Sequence, residues 1–211
     1  REQALIDATE EALAQGQFQV YYQPKYSLTE SDMVGAEALV RWIHPKLGFL
    51  SPGEFIPLFE KNGFISRLDA YVWEQVCRSL KAWKEQGYDL VPVSVNVSRA
   101  DVYQGDLAKS LTALVERYGV DPAYLHLEIT ESAYSKNPDA IIQTVSALRA
   151  HGFVIEMDDF GSGYSSLNML GQMSLDILKL DMQFVQNEMA KSADVSILWD
   201  VVNMAHRAHL T

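Results

Sequence analysis

The spacing of hydrophobic residues changes along the chain, and each change marks an element. Residues 1–15 repeat apolar side chains at helical intervals (Ala4, Leu5, Ala8, Ala12, Leu13), and Gly16 is placed to end that helix. Residues 18–28 alternate apolar and polar positions with many aromatics, and residues 33–43 form a second run of strand character. Only residues 29–32 separate them, so a hairpin and an antiparallel first pair are expected. Ser51, Pro52 and Glu54 match a capping box, and the helix that they open is expected to reach about Lys61 and stop at Asn62-Gly63. Residues 66–86 carry Leu68, Val72, Val76, Leu80 and Trp83 on one helical face, with Gly87 as the stop.

Beyond this point strand and helix patterns alternate. Strands are expected at 91–97, 125–129, 153–158 and 175–180, and helices at 106–118, 138–150 and 195–209, with a short helix starting near Ser165. Such alternation implies parallel strands with helices packed outside them. In a barrel of this kind the C-terminal strand ends converge on one mouth, where chemistry is placed.

Composition narrows the classes. The 211 residues, 48% of them hydrophobic, suffice for one sizeable core. A formal net charge of −11 argues against a DNA or RNA groove, which needs Lys and Arg to neutralise phosphates. Cys77 is the only cysteine, so an intrachain disulfide and a cysteine zinc site are excluded; it reads as a buried helix residue in a reducing compartment. No run of eighteen apolar residues and no signal-peptide pattern is present.

The strand ends offer an oxygen-rich set: Glu37, Leu39 and Arg41; Asn96; Glu128 and Glu131; Asp158 and Asp159; Lys179 and Asp181. Glu37, Asn96, Glu128 and Asp158 could supply hard oxygen ligands suited to Mg²⁺ or Mn²⁺. Asp159 beside Asp158 leaves room for a second cation, as in displacement at phosphorus. Arg41 shares a strand face with Glu37 and Leu39 and could hold a phosphate oxygen, and Lys179 could position an attacking water. Singly each has a plainer explanation: Glu128 as an edge-strand charge, Asn96 as a turn amide, Lys179 as half of a salt bridge, the Asp pair as a solvated turn. Together they interrupt apolar strands at similar depth, which is costly unless they meet one another or a metal. The five histidines lack metal-ligand spacing and read as surface or helix-end residues; Trp42, Trp73, Trp83 and Trp199 read as core.

These residues lie in pieces that resemble the EAL-domain family of cyclic di-GMP phosphodiesterases: Gln23-Pro24, Glu37-Ala38-Leu39-Val40-Arg41-Trp42, Val93-Ser94-Val95-Asn96-Val97-Ser98, Leu127-Glu128-Ile129-Thr130-Glu131-Ser132, Leu178-Lys179-Leu180-Asp181, and the run from Asp158-Asp159-Phe160-Gly161 to Leu167. The Glu-Ala-Leu tripeptide alone carries little, since a second copy stands at Glu11-Ala12-Leu13. The resemblance implies a modified TIM (β/α)₈ barrel with an antiparallel first strand. It also implies hydrolysis of one 3′–5′ phosphodiester of cyclic di-GMP to linear pGpG in bacterial second-messenger signalling, with two Mg²⁺ or Mn²⁺ ions and inhibition by Ca²⁺. By position Glu37, Asn96, Glu128, Asp158 and Asp159 become metal ligands, and Lys179 orients the nucleophilic water. Gln23, Leu39 and Arg41 contact the dinucleotide, and Glu131 steadies the loop 160–167, which shapes the second metal site and a homodimer contact.

The family continues past residue 211 with a strand bearing a Glu-Gly-Val-Glu motif, so the domain 17–211 reads as truncated before its last strands. Residues 1–16 resemble the linker helix that follows a diguanylate-cyclase or sensory domain. A cytoplasmic setting is implied, with inner-membrane anchoring of the parent protein open. A catalytically inactive cyclic di-GMP receptor is the alternative, and an unrelated metal-dependent barrel acting on another phosphorylated substrate is the third reading.

Overall fold

The computed structural model describes residues 2–103, 106–162, 167–191 and 197–211, with the side chains of Ser135, Lys136, Leu167 and Asn168 set aside. Strands β1 (Phe18–Tyr26) and β2 (Met33–His44) form the expected antiparallel hairpin, with Gln23 opposite Glu37. Strand β3 (Gly48–Leu50) folds back on the end of β2. Strands β4 (Val93–Asn96), β5 (Leu125–Thr130), β6 (Val154–Phe160) and β7 (Ile177–Leu180) then add in parallel, giving the order β1-β2-β4-β5-β6-β7. The register steps by two residues: Ser94 faces Glu37, Glu128 faces Asn96, and Asp158 faces Thr130. That stagger is what strand tilt requires of a curling sheet. No ladder joins β1 to β7 among the described residues. On the free side of β7, Thr211 donates to Asp176 O (3.0 Å) and accepts from Leu178 N (2.9 Å).

The helices are α1 (Glu2–Asp7), α2 (Thr9–Ala14), α3 (Pro52–Asn62), α4 (Ile65–Glu85), α5 (Arg99–Tyr103), α6 (Leu107–Tyr118), α7 (Glu131–Lys136), α8 (Pro138–Ala150), α9 (Leu167–Gln172), α10 (Met182–Met189) and α11 (Leu198–Arg207). The single helix expected over residues 1–15 is broken at Ala8. Helices α5, α7 and α10 were not expected, because five to eight residues hold too few turns to show a period. The expected start of the last helix falls at residues 192–196, outside the described residues. Helix α3 begins at the capping box of Ser51 and Glu54 and ends at Gly63 with φ +80°.

Two hydrophobic clusters hold the layers together. The larger joins the outward strand residues Val93, Val95, Leu125, Leu127, Ile129, Ile155 and Met157 to the surrounding helices. The smaller stacks Phe18, Trp42, Phe55, Phe59 and Phe64 against Leu5 and Ala12, so α1 and α2 pack on the back of α3 and α4. Trp42 and Trp73 are core as expected, but Trp199 is 70% exposed: its helix turns that position to solvent. Cys77 is fully buried on α4, and burial pushes its thiol up to about 12. No helix among the described residues is long and apolar enough to cross a membrane.

Candidate active site

Alternation along each strand sends every second side chain inward. On β2 these are Glu37, Leu39 and Arg41; on β5, His126 and Glu128; on β6, Glu156 and Asp158; on β7, Lys179. The last of these ties the upper level together. Lys179 Nζ lies 2.7 Å from Glu128 Oε1, 3.1 Å from Glu37 Oε2 and 3.2 Å from Asp158 Oδ1. Burial works to lower the affinity of Lys179 for its proton, but the carboxylates of Glu128, Asp158 and Glu37 more than reverse it and hold the ammonium charged. Glu128 is pushed up to about 7, chiefly by burial, against the pull of Lys179 and with the help of Glu37. Its second oxygen, Oε2, is buried and has no hydrogen-bond partner among the described residues, an expensive arrangement for a carboxylate.

Asp159 reaches the same region by a distortion. Between Met157 and Phe160 the register slips, so that Asp158 and Asp159 together oppose Lys179 alone, and Asp159 has φ +57°. A bulge of this kind re-aims a side chain that simple alternation would send to the helices. Burial, then the neighbouring carboxylates of Asp158 and Asp181, raise the pKa of Asp159. Gly161 follows with φ +96°, and a Cβ there would lie 2.7 Å from the Phe184 ring, so only glycine fits. Asp181 caps α10 by accepting from Phe184 N at 2.9 Å.

The structure thus gathers Glu37, Glu128, Asp158 and Lys179, with Asp159 beside them. Asn96 ends β4 opposite Glu128 and is exposed; the carbonyl of Asn96 accepts from Trp73 Nε1 at 3.0 Å. Gln23 is exposed at the rim opposite Glu37. Leu39, Arg41 and Asn96 line a cavity of about 330 Å³ walled by α3 and α4, where buried Asp69 also contributes. Arg41 Nη1 donates to Val40 O at 2.9 Å. Glu131 is buried at the first turn of α7, directly after β5. Of the loop 160–167 that it is expected to steady, Gly163 to Ser166 lie outside the described residues. No group of three His, Cys, Asp or Glu side chains placed to hold a metal ion occurs among the described residues; the acids are drawn onto Lys179 instead.

A second polar level lies one step deeper, and the sequence reading passed over it. Lys25 Nζ donates to Ser94 Oγ (2.6 Å), Glu156 Oε2 (2.8 Å) and Glu128 Oε1 (3.2 Å). Glu156 Oε1 accepts from Ser94 Oγ and pairs with His126 Nδ1, each at 2.7 Å. Burial opposes the charge on Glu156, but His126 and Lys25 outweigh it and hold its carboxyl down at about 2. His126, read as a surface residue, is therefore an interior one, its side chain 12% exposed.

A curled α/β sheet with acids and a lysine at its strand ends defines a barrel-like hydrolase or ligand-binding scaffold. The match to the EAL domain family model over residues 6–211 narrows this, and the chain belongs to that family. It is 36% identical over 217 aligned positions to cyclic di-GMP phosphodiesterase NbdA of Pseudomonas aeruginosa, covering 99% of this chain and 28% of that protein. It is 34% identical over 206 positions to MucR of the same organism, named a bifunctional diguanylate cyclase/cyclic di-GMP phosphodiesterase, covering 98% of this chain and 30% of that one. The chain therefore spans under a third of these relatives. A solved structure of the MucR phosphodiesterase in complex with c-di-GMP superposes with a TM-score of 0.90 at 34% identity, covering 98% of this chain and 84% of that one.

Proposed function

We propose that this chain hydrolyses cyclic di-GMP to linear pGpG. The observation that carries the reading is the strand-end cluster in which Glu37, Glu128 and Asp158 converge on Lys179 beside the cavity of Leu39 and Arg41; the family's named phosphodiesterases support the substrate.

The donor set consists of oxygens, and the buried, unpartnered Oε2 of Glu128 is a ready acceptor for a hard cation, so Mg²⁺ or Mn²⁺ fits. Glu37, Asn96, Glu128, Asp158 and Asp159 would hold two such ions, which when bound polarise a phosphoryl oxygen and make a water more acidic. Lys179 shares its acids with any such cation. Held charged by those acids, it serves as a hydrogen-bond donor that orients a water and not as a base. Arg41 offers guanidinium donors to a phosphate, and the cavity takes an apolar or aromatic part of the ligand between Leu39 and α3. Gln23 adds an amide at the rim. Ca²⁺, with longer bonds and looser geometry, is expected to bind and inhibit. A homodimer through the loop 160–167 belongs to the same reading.

The test is incubation with cyclic di-GMP and Mn²⁺, with the nucleotides followed by chromatography. Appearance of pGpG supports the enzyme. Saturable binding without product, with either metal, points to a receptor, and neither binding nor product refutes both.

A further inference from the structure

The ammonium of Lys25 has three protons and three acceptors, on three different strands: Ser94 on β4, Glu128 on β5 and Glu156 on β6. Because β1 runs against its neighbours, the residue two beyond Gln23 goes deeper into the sheet's interior. Lys25 therefore approaches Glu128 from below, while Lys179 approaches from the mouth, and both contact the same oxygen, Oε1. The other oxygen is left buried, with no partner among the described residues. Lys25 is itself held fast: Glu156 grips it, and Ser94 and His126 grip Glu156. A cation or a water can draw Lys179 away, whereas Lys25 is tied through its other two protons to Ser94 and Glu156.

We propose that Lys25, braced by Glu156, is a positioning residue that pins Oε1 of Glu128 so that Oε2 is the oxygen presented to a divalent cation. This rests on the reading of Glu128 as a metal ligand. Outer partners that orient a metal's ligands typically change its affinity by about 10–100-fold, and that is the effect expected here.

The charge of Lys25 needs separating from its grip. A nearby ammonium repels a cation, so loss of its charge alone tightens metal binding. The paired variant Lys25→Met/Glu156→Met removes one charge of each sign and substitutes apolar side chains of similar length, an exchange that buried ion pairs often tolerate. Ser94 and His126, register neighbours across β4 and β5, are then left to each other. Mn²⁺ affinity is measured by calorimetry on the protein, on this pair and on Glu128→Gln, with melting temperature, kcat and KM measured alongside.

The expected result is Mn²⁺ affinity about 10–100-fold weaker in the paired variant, a lower kcat, and a KM that stays put because the cavity of Leu39 and Arg41 is untouched. A paired variant that keeps the affinity and kcat of the protein while Glu128→Gln loses affinity overturns the role of Lys25 and leaves the metal reading standing. Unchanged affinity in Glu128→Gln overturns the metal reading itself. A purely structural Lys25 lowers the melting temperature and leaves the affinity of the folded protein alone. If the paired variant does not fold, Lys25→Met decides by sign: weaker Mn²⁺ binding supports the grip, and tighter or equal binding refutes it.

Discussion

The two polar levels inside the sheet are built from similar residues and behave in opposite ways. At the deeper level each acid oxygen of Glu156 and each proton of Lys25 has a partner. At the mouth three acids crowd one ammonium, and a buried carboxylate oxygen has no partner among the described residues. A satisfied buried network rigidifies, and an unsatisfied one stores a demand that a ligand can meet. Under the proposed function, the contrast separates the part of the interior that holds the fold from the part offered to a ligand.

The hardest blow to that contrast is Glu37→Ala. A residue of the mouth should lower turnover of cyclic di-GMP by about 10²–10³-fold or more, the loss of several kcal/mol of charge stabilisation. The melting temperature should barely move, since Glu128 and Asp158 remain with Lys179 when Glu37 is removed. Near-native hydrolysis would place the chemistry elsewhere.

Next comes Lys25→Met alone, which takes the shared cation from Glu156 and Glu128 and leaves the first to Ser94 and His126 and the second to Lys179. Breaking a buried pair from one side costs about 3–5 kcal/mol, and the low end applies because Lys25 is 30% exposed and Glu156 keeps His126, seen as a fall of roughly 6–12 °C in a domain this size. A fall within a degree or two would make the deeper level as dispensable as the mouth.

The levels should also answer pH with opposite signs in metal-free protein. Glu156 is held at about 2, below its ordinary 4.5, so its contribution is complete above about 4.5 and is lost as the pH drops toward 2. Glu128 is raised to about 7, so between 4.5 and 7 the folded state keeps a proton that the unfolded state has released, and stability declines as pH rises across that window. Urea titrations from pH 2 to 8 read both slopes. Glu128→Gln should flatten the upper one and Glu156→Gln the lower, and a shared response in both variants would dissolve the distinction.

The smallest expected effect is Ser94→Ala, which removes one hydroxyl between Lys25 and Glu156. Hydrogen bonds to charged groups are worth about 1.5–3 kcal/mol, and the low end applies because two other partners remain. Chemical denaturation checks it, and turnover should stay close to native.

Much of this was legible in the chain. The hairpin, the capping box at Ser51, helix α8 and the acids at the strand ends are signalled by residues near one another in sequence, and their types state their roles. The deeper level was not, because Lys25, Ser94, His126 and Glu156 look like ordinary polar residues until register places them on one face. The signal was there in arithmetic: each stands two positions from a residue already chosen, Gln23, Asn96, Glu128 and Asp158. Strand β3 is too short for any period to appear, and the slip at Asp158-Asp159 depends on β7, which no local pattern reports.

That slip has a consequence for how the strand must be read. Before it, even-numbered residues of β6 face the interior and odd-numbered ones the helices; after it Phe160, an even number, is buried in the outer core with Ile155 and Met157. The strand changes parity, as a text does when one letter is inserted. Deleting either aspartate would remove the bulge together with one acid, leaving a single aspartate opposite Lys179 and the Phe160 ring still opposite Leu180 on the outward side. The one added residue lets a single strand end bring two acids to the mouth while the outer core keeps its ring.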